Sequence, residues 1–395
     1  MDQVWFTAAL WLGLALVATL LSIWFRISVA LTEIVVGTVA QLLIGALLGG
    51  NALGAGSSWV GFLAGLGSIV LTFLAGAELD PDSLKRGWKQ AGALGLVGFI
   101  APFLGAAFTA RYLLGWDVRA AWLTGVALST TSVAVVYAVM LELGLNRSEF
   151  GKTILAACFI NDLGTVIALG VLFAPFTTKT AIFLGALVAG LAALVKLTRP
   201  FFARFGGRTS EMEAKFLLFA LLLLGGLAVW SGSEAVLPAY LVGMVLAGTV
   251  GRDHALVRRL RTLTFGLLTP FYFIRAGSFV QLGVVAAGLG AFLALFTAKA
   301  AFKFAGIYPL TRRQGYPRGE AMYTTLLMST GLTFGTISAL YGLSHGIITQ
   351  AQYSFLVATV IASAVVPTWI ANRFFLPLRH LPQPEAAVAG LAGAD

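Results

Sequence analysis

The sequence predicts an all-α polytopic membrane protein, and three observations carry that reading. Of the 395 residues, 59% are hydrophobic and only 11% are charged, where a soluble chain of this length would be about a quarter charged. Apolar runs long enough to cross a bilayer, about 20 residues each, recur from one end of the chain to the other, for a mean hydropathy of +0.92. Most of the basic residues lie in the short stretches between those runs, so the net charge of +10 reflects membrane topology and does not point to nucleic acid.

Thirteen runs follow in order: 4–25, 28–50, 58–77, 91–114, 119–142, 152–175, 181–198, 213–231, 234–250, 262–281, 283–307, 319–343 and 352–377. The first begins at Met1-Asp2-Gln3-Val4 without the basic stretch of a cleavable signal, so it reads as a retained helix. In the third, Gly61 and Gly65 form a GxxxG pattern suited to close helix packing. The fifth carries Ser129-Thr130-Thr131-Ser132 at mid-span and the twelfth carries Ser329-Thr330-Gly331-Leu332-Thr333-Phe334-Gly335. The seventh and ninth are short, and Ser231-Gly232-Ser233 makes a tight turn between the eighth and ninth. A brief tail, 379–395, follows the last run, with no soluble regulatory domain expected.

Alternate loops differ sharply in charge. One set holds nineteen Lys and Arg, the other only Arg111, Arg119 and Lys179. The basic set belongs inside, which places the N-terminus outside and the C-terminus inside. The sequon at Asn146 then falls on the inner side and is no glycosylation site.

An internal repeat is visible. The segment Glu33–Val39 of the second run matches Pro238–Val245 of the ninth, and Leu71–Ala77 of the third matches Phe271–Ser278 of the tenth. Both offsets are seven helices, so matching helices have opposite orientation. Two inverted six-helix repeats, with the seventh helix as linker, are the mark of alternating-access transporters. The repeat pairs the fifth helix with the twelfth. Hydroxyls satisfy backbone groups freed where a helix unwinds, and glycine permits the unwinding. Two broken helices are therefore expected to cross at mid-membrane and to aim half-helix ends at one spot.

Few charges lie inside the runs. Asp162, in Phe159-Ile160-Asn161-Asp162-Leu163-Gly164, is the only acid near mid-bilayer. Burying its charge costs about 2.5–3.5 kcal/mol on insertion scales, so a functional role is the default. Lys299, the deeper of two lysines in the eleventh run, is the natural counter-charge. Lys303, one turn on, reads as snorkelling to the interface. Glu33 either lines an inner funnel or snorkels, Glu78 and Asp80 end the third run near that funnel, and Arg275 either caps a helix end or pairs with a carboxylate. Cys158, the single cysteine, reads as a small apolar side chain.

Together these residues resemble the bacterial monovalent cation/proton antiporters, specifically the cation:proton antiporter-2 branch. Asn161-Asp162, Thr131-Ser132, Lys299 and the Ser329-Thr330-Gly331 break carry the resemblance. It implies a dimerisation scaffold at 1–90 and 213–282, a mobile core at 91–175 and 283–378, a linker at 176–212, a homodimer, and a place in the prokaryotic cytoplasmic membrane. It also implies that Asp162 binds cation or proton with help from Thr131 and Ser132. The chain departs from the family in two ways. Asn161 stands where electrogenic members have a second aspartate, and Lys299 stands where members with an Asn-Asp pair usually have Arg.

The inferred mechanism is exchange of Na⁺ or Li⁺ for H⁺, the two competing for Asp162. With only one carboxylate exchanging ligand, the stoichiometry is one-to-one and electroneutral. The rivals within transport are K⁺/H⁺ exchange and sodium-coupled symport of an organic solute. Intramembrane proteolysis is disfavoured, since an aspartyl enzyme needs a second mid-membrane aspartate and His254, His345 and His380 all fall in loops or the tail. No cofactor is expected.

Overall fold

A computed structural model describes residues 2–25, 28–48, 53–77, 81–145, 148–173, 177–207, 210–233 and 235–381. Every regular element among them is helical, because inside hydrocarbon each backbone N–H and C=O must be satisfied within its own segment. The first helices are α1 (Asp2–Phe25), α2 (Val29–Leu48), α3 (Ser58–Ala77) and α4 (Pro81–Phe108). The last continues through a π-helical turn, Thr109–Leu113, and starts ten residues before the expected apolar run. Glu78 and Asp80 lie outside the described residues.

The fifth run divides into α5 (Val118–Ser129) and α6 (Val133–Glu142). Asp117 caps α5 by accepting hydrogen bonds from the Arg119 and Ala120 amides at 2.7 and 3.3 Å, which satisfies donors a helix start leaves free. Next come α7 (Glu149–Phe173), α8 (Thr178–Phe205), α9 (Met212–Trp230) and α10 (Val236–Leu246). The tenth run belongs to a longer rod: α11 (His254–Leu263), a π turn at Thr264–Leu268, and α12 (Thr269–Ser278). α11 was expected to be basic loop. It is a helix because Leu256, Val257 and Leu260 form a buried stripe at helical spacing, with Arg258 and Arg259 on other faces. The chain closes with α13 (Leu282–Ala287), α14 (Leu289–Arg313), the divided pair α15 (Arg318–Met328) and α16 (Thr333–Ser344), and α17 (Gln350–Phe374). Among the described residues, nine helices are long and apolar enough to cross a membrane, and the divided pair α15–α16 counts as one of them.

Packing sorts the helices into two bundles. α4 lies against α5, α7 and α14, while α15, α16 and α17 close around them. In the other bundle α2 crosses α12, α3 crosses α10, and α8 and α9 pack outside α10. Four glycines make these two crossings possible. A Cβ on Gly37 would collide with the Ile274 carbonyl, and one on Gly277 with that of Ile34; Gly76 meets Tyr240 and Gly243 meets Phe73 in the same manner. Each crossing thus brings two glycines onto facing backbone, Gly37 and Gly277 in one and Gly76 and Gly243 in the other. Gly61 and Gly65 make no such approach: the nearest atom to Gly61 is the Arg275 guanidinium at 3.9 Å, and Gly65 has nothing within 4 Å. The close packing that the GxxxG spacing suggests is therefore not made at either glycine among the described residues. The bundles meet where α10 touches α7, and the Tyr240 hydroxyl donates to the Phe159 carbonyl at 3.0 Å.

Candidate functional site

The two breaks lie against each other. α5 ends at Ser129 because Thr130 turns to extended backbone, φ −61° and ψ 149°. α16 restarts after Leu332 at φ −149° and ψ −74°. Between them the Ser132 amide donates to the Thr330 carbonyl at 3.1 Å, and the Thr131 hydroxyl donates to the Met328 carbonyl at 2.9 Å. The remaining hydroxyls look after their own helix ends. Ser329 donates to Thr325 O at 2.7 Å, Thr330 to Leu327 O at 2.7 Å and Thr130 to Ala127 O at 3.2 Å. Ser132 Oγ accepts from the Val135 amide at 3.3 Å and caps the start of α6. Ser363 of α17 reaches the Gly331 carbonyl at 3.4 Å. Freed backbone groups are thereby satisfied, as an unwound helix in a membrane requires.

α7 passes beside the crossing and presents Asn161 and Asp162. Asn161 is fully engaged: its Oδ1 accepts from the Thr131 amide at 2.9 Å and its Nδ2 donates to the Ser129 carbonyl at 3.3 Å. Asp162 is only 2% exposed, and among the described residues its Oδ1 has no hydrogen-bond partner. A buried carboxylate oxygen without a donor is costly, and a proton or a metal cation would relieve that cost.

Both lysines of α14 face the crossing. Lys299 Nζ donates to the Thr130 carbonyl at 3.1 Å and Lys303 Nζ to the Thr131 hydroxyl at 2.8 Å. A Cβ on Gly331 would collide with Lys299 Nζ and lie 2.9 Å from Thr130 Oγ1. The Lys299 ammonium is therefore sandwiched between the two breaks, on a carbonyl at the negative end of α5. Lys303 is held on Thr131, whose amide donates to Asn161, the immediate neighbour of Asp162 in the chain. Lys303 does not snorkel; it is 0% exposed. The signal that could have found it was present, since residues four apart share a helix face and a buried Lys299 implies a buried Lys303.

The structure thus brings together Asp162, Asn161, Thr130, Thr131, Ser132, Ser329, Thr330, Gly331 and Lys299, and adds Lys303. Glu33 stands in the other bundle, 1% exposed and, among the described residues, with Oε2 unpartnered. The Arg275 side chain bonds neither a carboxylate nor a helix end among the described residues. Its Nε donates to the Ala55 carbonyl at 2.9 Å, and the guanidinium lies over the Phe279 ring at 5.0 Å.

Residues 9–375 match the model of a family described as "Sodium/hydrogen exchanger, transmembrane". A curated relative, "Probable Na(+)/H(+) antiporter 3" of Methanocaldococcus jannaschii, is 24% identical over 328 residues, 80% of this chain and 83% of that protein. "Cation/H(+) antiporter 18" of Arabidopsis thaliana is 25% identical over 373 residues, 87% of this chain, which spans 46% of the plant protein. Among solved structures, that of the sodium proton antiporter MjNhaP1 from Methanocaldococcus jannaschii superposes with a TM-score of 0.71 at 17% identity, covering 96% of this chain and 99% of that one. That likeness concerns the fold. With the family model spanning nearly every helix, including both breaks and the Asp162 helix between them, the chain belongs to the transmembrane sodium/hydrogen exchanger family.

Proposed function

We propose that this chain exchanges Na⁺ or Li⁺ for H⁺ by alternating access, both ions competing for the Asp162 carboxylate. The observation that carries the reading is the buried, unpartnered Asp162 Oδ1 beside two broken helices. A bound proton or cation neutralises that carboxylate, whereas the empty ionised site is expensive to move through a low-dielectric layer. The loaded forms therefore cross and the empty form does not, which couples the two fluxes.

The bundle of α4–α7 and α14–α17 is the mobile core in this reading, and the bundle of α1–α3 and α9–α12 is the scaffold, with α8 as linker. A cavity of about 720 Å³ between them, lined by Ser28, Leu31, Val139, Thr368 and Asn372, is the approach from the side where α17 ends. The charge asymmetry of the loops assigns that side to the cytoplasm, with the N-terminus outside. The scaffold would carry the homodimer contact in a prokaryotic inner membrane. The two lysines divide their work: Lys303 balances Asp162, and Lys299 fixes the crossing. With one exchanging carboxylate, the stoichiometry is one-to-one. K⁺ is the second reading for the cation, left open by a plant relative named only as a cation/H(+) antiporter.

The test is exchange in proteoliposomes with a pH-sensitive dye, comparing Na⁺, Li⁺ and K⁺. Asp162→Asn is expected to abolish exchange for all three. Normal exchange by that variant, at normal protein level, would end the proposal.

A further inference from the structure

After α17 the chain folds back over the end of the bundle where α7 and α15 begin. Phe375, Leu376 and Leu381 join an apolar cluster that includes Leu145, Phe150 and Tyr323. The His380 ring lies flat on the ring of Phe150, centroids 4.7 Å apart and planes 3° from parallel. Its Nε2 is 3.3 Å from Glu320 Oε1, with the two side chains only 32% and 12% exposed. Phe150 stands in the first turn of α7, roughly three turns before Asp162, and Glu320 stands in the first turn of α15. One histidine therefore bridges the starts of the helix that carries the acid and the helix that leads into the second break.

Imidazole is the side chain that ordinarily changes charge between pH 5 and 8. The other titratable and charged groups packed around it do not offer a competing switch. Tyr316 sits edge-on to Phe150 at 5.7 Å, and burial together with the Glu320 charge raises its phenol further from neutral pH. The Tyr323 hydroxyl donates to Asn372 Oδ1 at 3.5 Å. Glu149 and Lys152 pair with each other at 3.1 Å. Arg312 donates to the Tyr316 carbonyl, and along the chain Arg318 stands near Glu320 and Arg379 beside His380.

We propose that His380 and Glu320 form a proton-operated latch. With His380 charged, the ion pair pins residues 375–381 across the seam between α7 and α15. With His380 neutral, the attraction to Glu320 is lost, the segment lifts and the starts of the two helices are free to separate. Acid on that side of the membrane then slows the cycle in addition to any competition at Asp162. The transport consequence rests on Asp162 being the exchanging carboxylate, but the latch itself does not.

Two measurements on the full chain separate these ideas. Hydrogen–deuterium exchange of detergent-solubilised protein should show residues 375–381 protected at pH 5.5 and at least ten-fold less protected at pH 7.5, after correction for intrinsic rates. His380→Arg should stay protected at both pH values, and His380→Gln and Glu320→Gln should be unprotected at both. Equal protection of the wild type at the two pH values, or a pH response surviving in either neutral variant, overturns the latch whatever the transport result. In proteoliposomes, acid on the side bearing the tail should slow the wild type at least five-fold more than His380→Gln. Equal slowing of the two removes the latch from the transport cycle.

Discussion

Asn161 uses both ends of its amide, accepting from Thr131 N and donating to Ser129 O, so it is a clamp on the first break. A carboxylate in its place can accept but cannot donate, and it would face the Ser129 carbonyl with a second negative charge. Asn161→Asp is therefore expected to lower the maximal exchange rate at least ten-fold, and a fully active, voltage-driven variant would contradict this role. The lysines give a second prediction at this scale. Lys303→Ala should displace the pH of half-maximal exchange, because it removes from the Thr131 hydroxyl the ammonium that, in the proposed function, balances Asp162. Lys299→Ala should leave that midpoint nearly in place and lower the maximal rate, because its ammonium serves the Thr130 carbonyl. Dye-based pH profiles of both variants decide the matter, and equal displacement by the two would show that they share one role. Position along α14 does not separate the two lysines, because depth along a helix says nothing about which neighbour a side chain meets.

At the level of elements, the two glycine crossings are the parts least tolerant of added volume. At Gly37, Gly277, Gly76 and Gly243 a Cβ would meet backbone atoms of the facing helix, which cannot swing aside as a flexible side chain can. Each change to Ala should destabilise by about 1–3 kcal/mol through overpacking, read as a lower melting temperature in detergent. Gly65→Ala and Gly226→Ala are the controls, since nothing lies within 4 Å of either position. Helix propensity should make those two neutral or slightly stabilising. Equal losses at all six positions would mean that the crossings are not where the constraint lies. The GxxxG pattern at Gly61 misled because spacing alone does not say which face a helix turns to its neighbours, whereas the α11 stripe was overlooked because it is too short and too basic to resemble a span.

For the whole molecule, charge counting makes the sharpest statement. If Asp162 alone trades a cation for a proton, each cycle moves no net charge, and exchange in vesicles should be unaffected by a potential set with potassium and valinomycin. Acceleration or reversal by that potential would mean that a second group, foremost the Lys303 ammonium, also releases a proton. The division into two bundles joined at Tyr240 and Phe159 also makes the motion testable. Tyr240→Phe removes a bond between them worth about 0.5–1.5 kcal/mol, so it should change the maximal rate several-fold with little change in apparent KM.

The chain by itself determined that it is a bundle of membrane helices, where two of them break, and which acid lies near mid-membrane. Those features follow from hydrocarbon's intolerance of unpaired polar groups, which is written directly in composition and spacing. Only the tertiary structure decided which groups of the first break the two lysines meet, that Asn161 is a clamp, that Glu33 is buried, and that His380 reaches Phe150 and Glu320. Each of these depends on the rotation of a helix about its own axis and on contacts between residues far apart in the chain, and local sequence encodes neither.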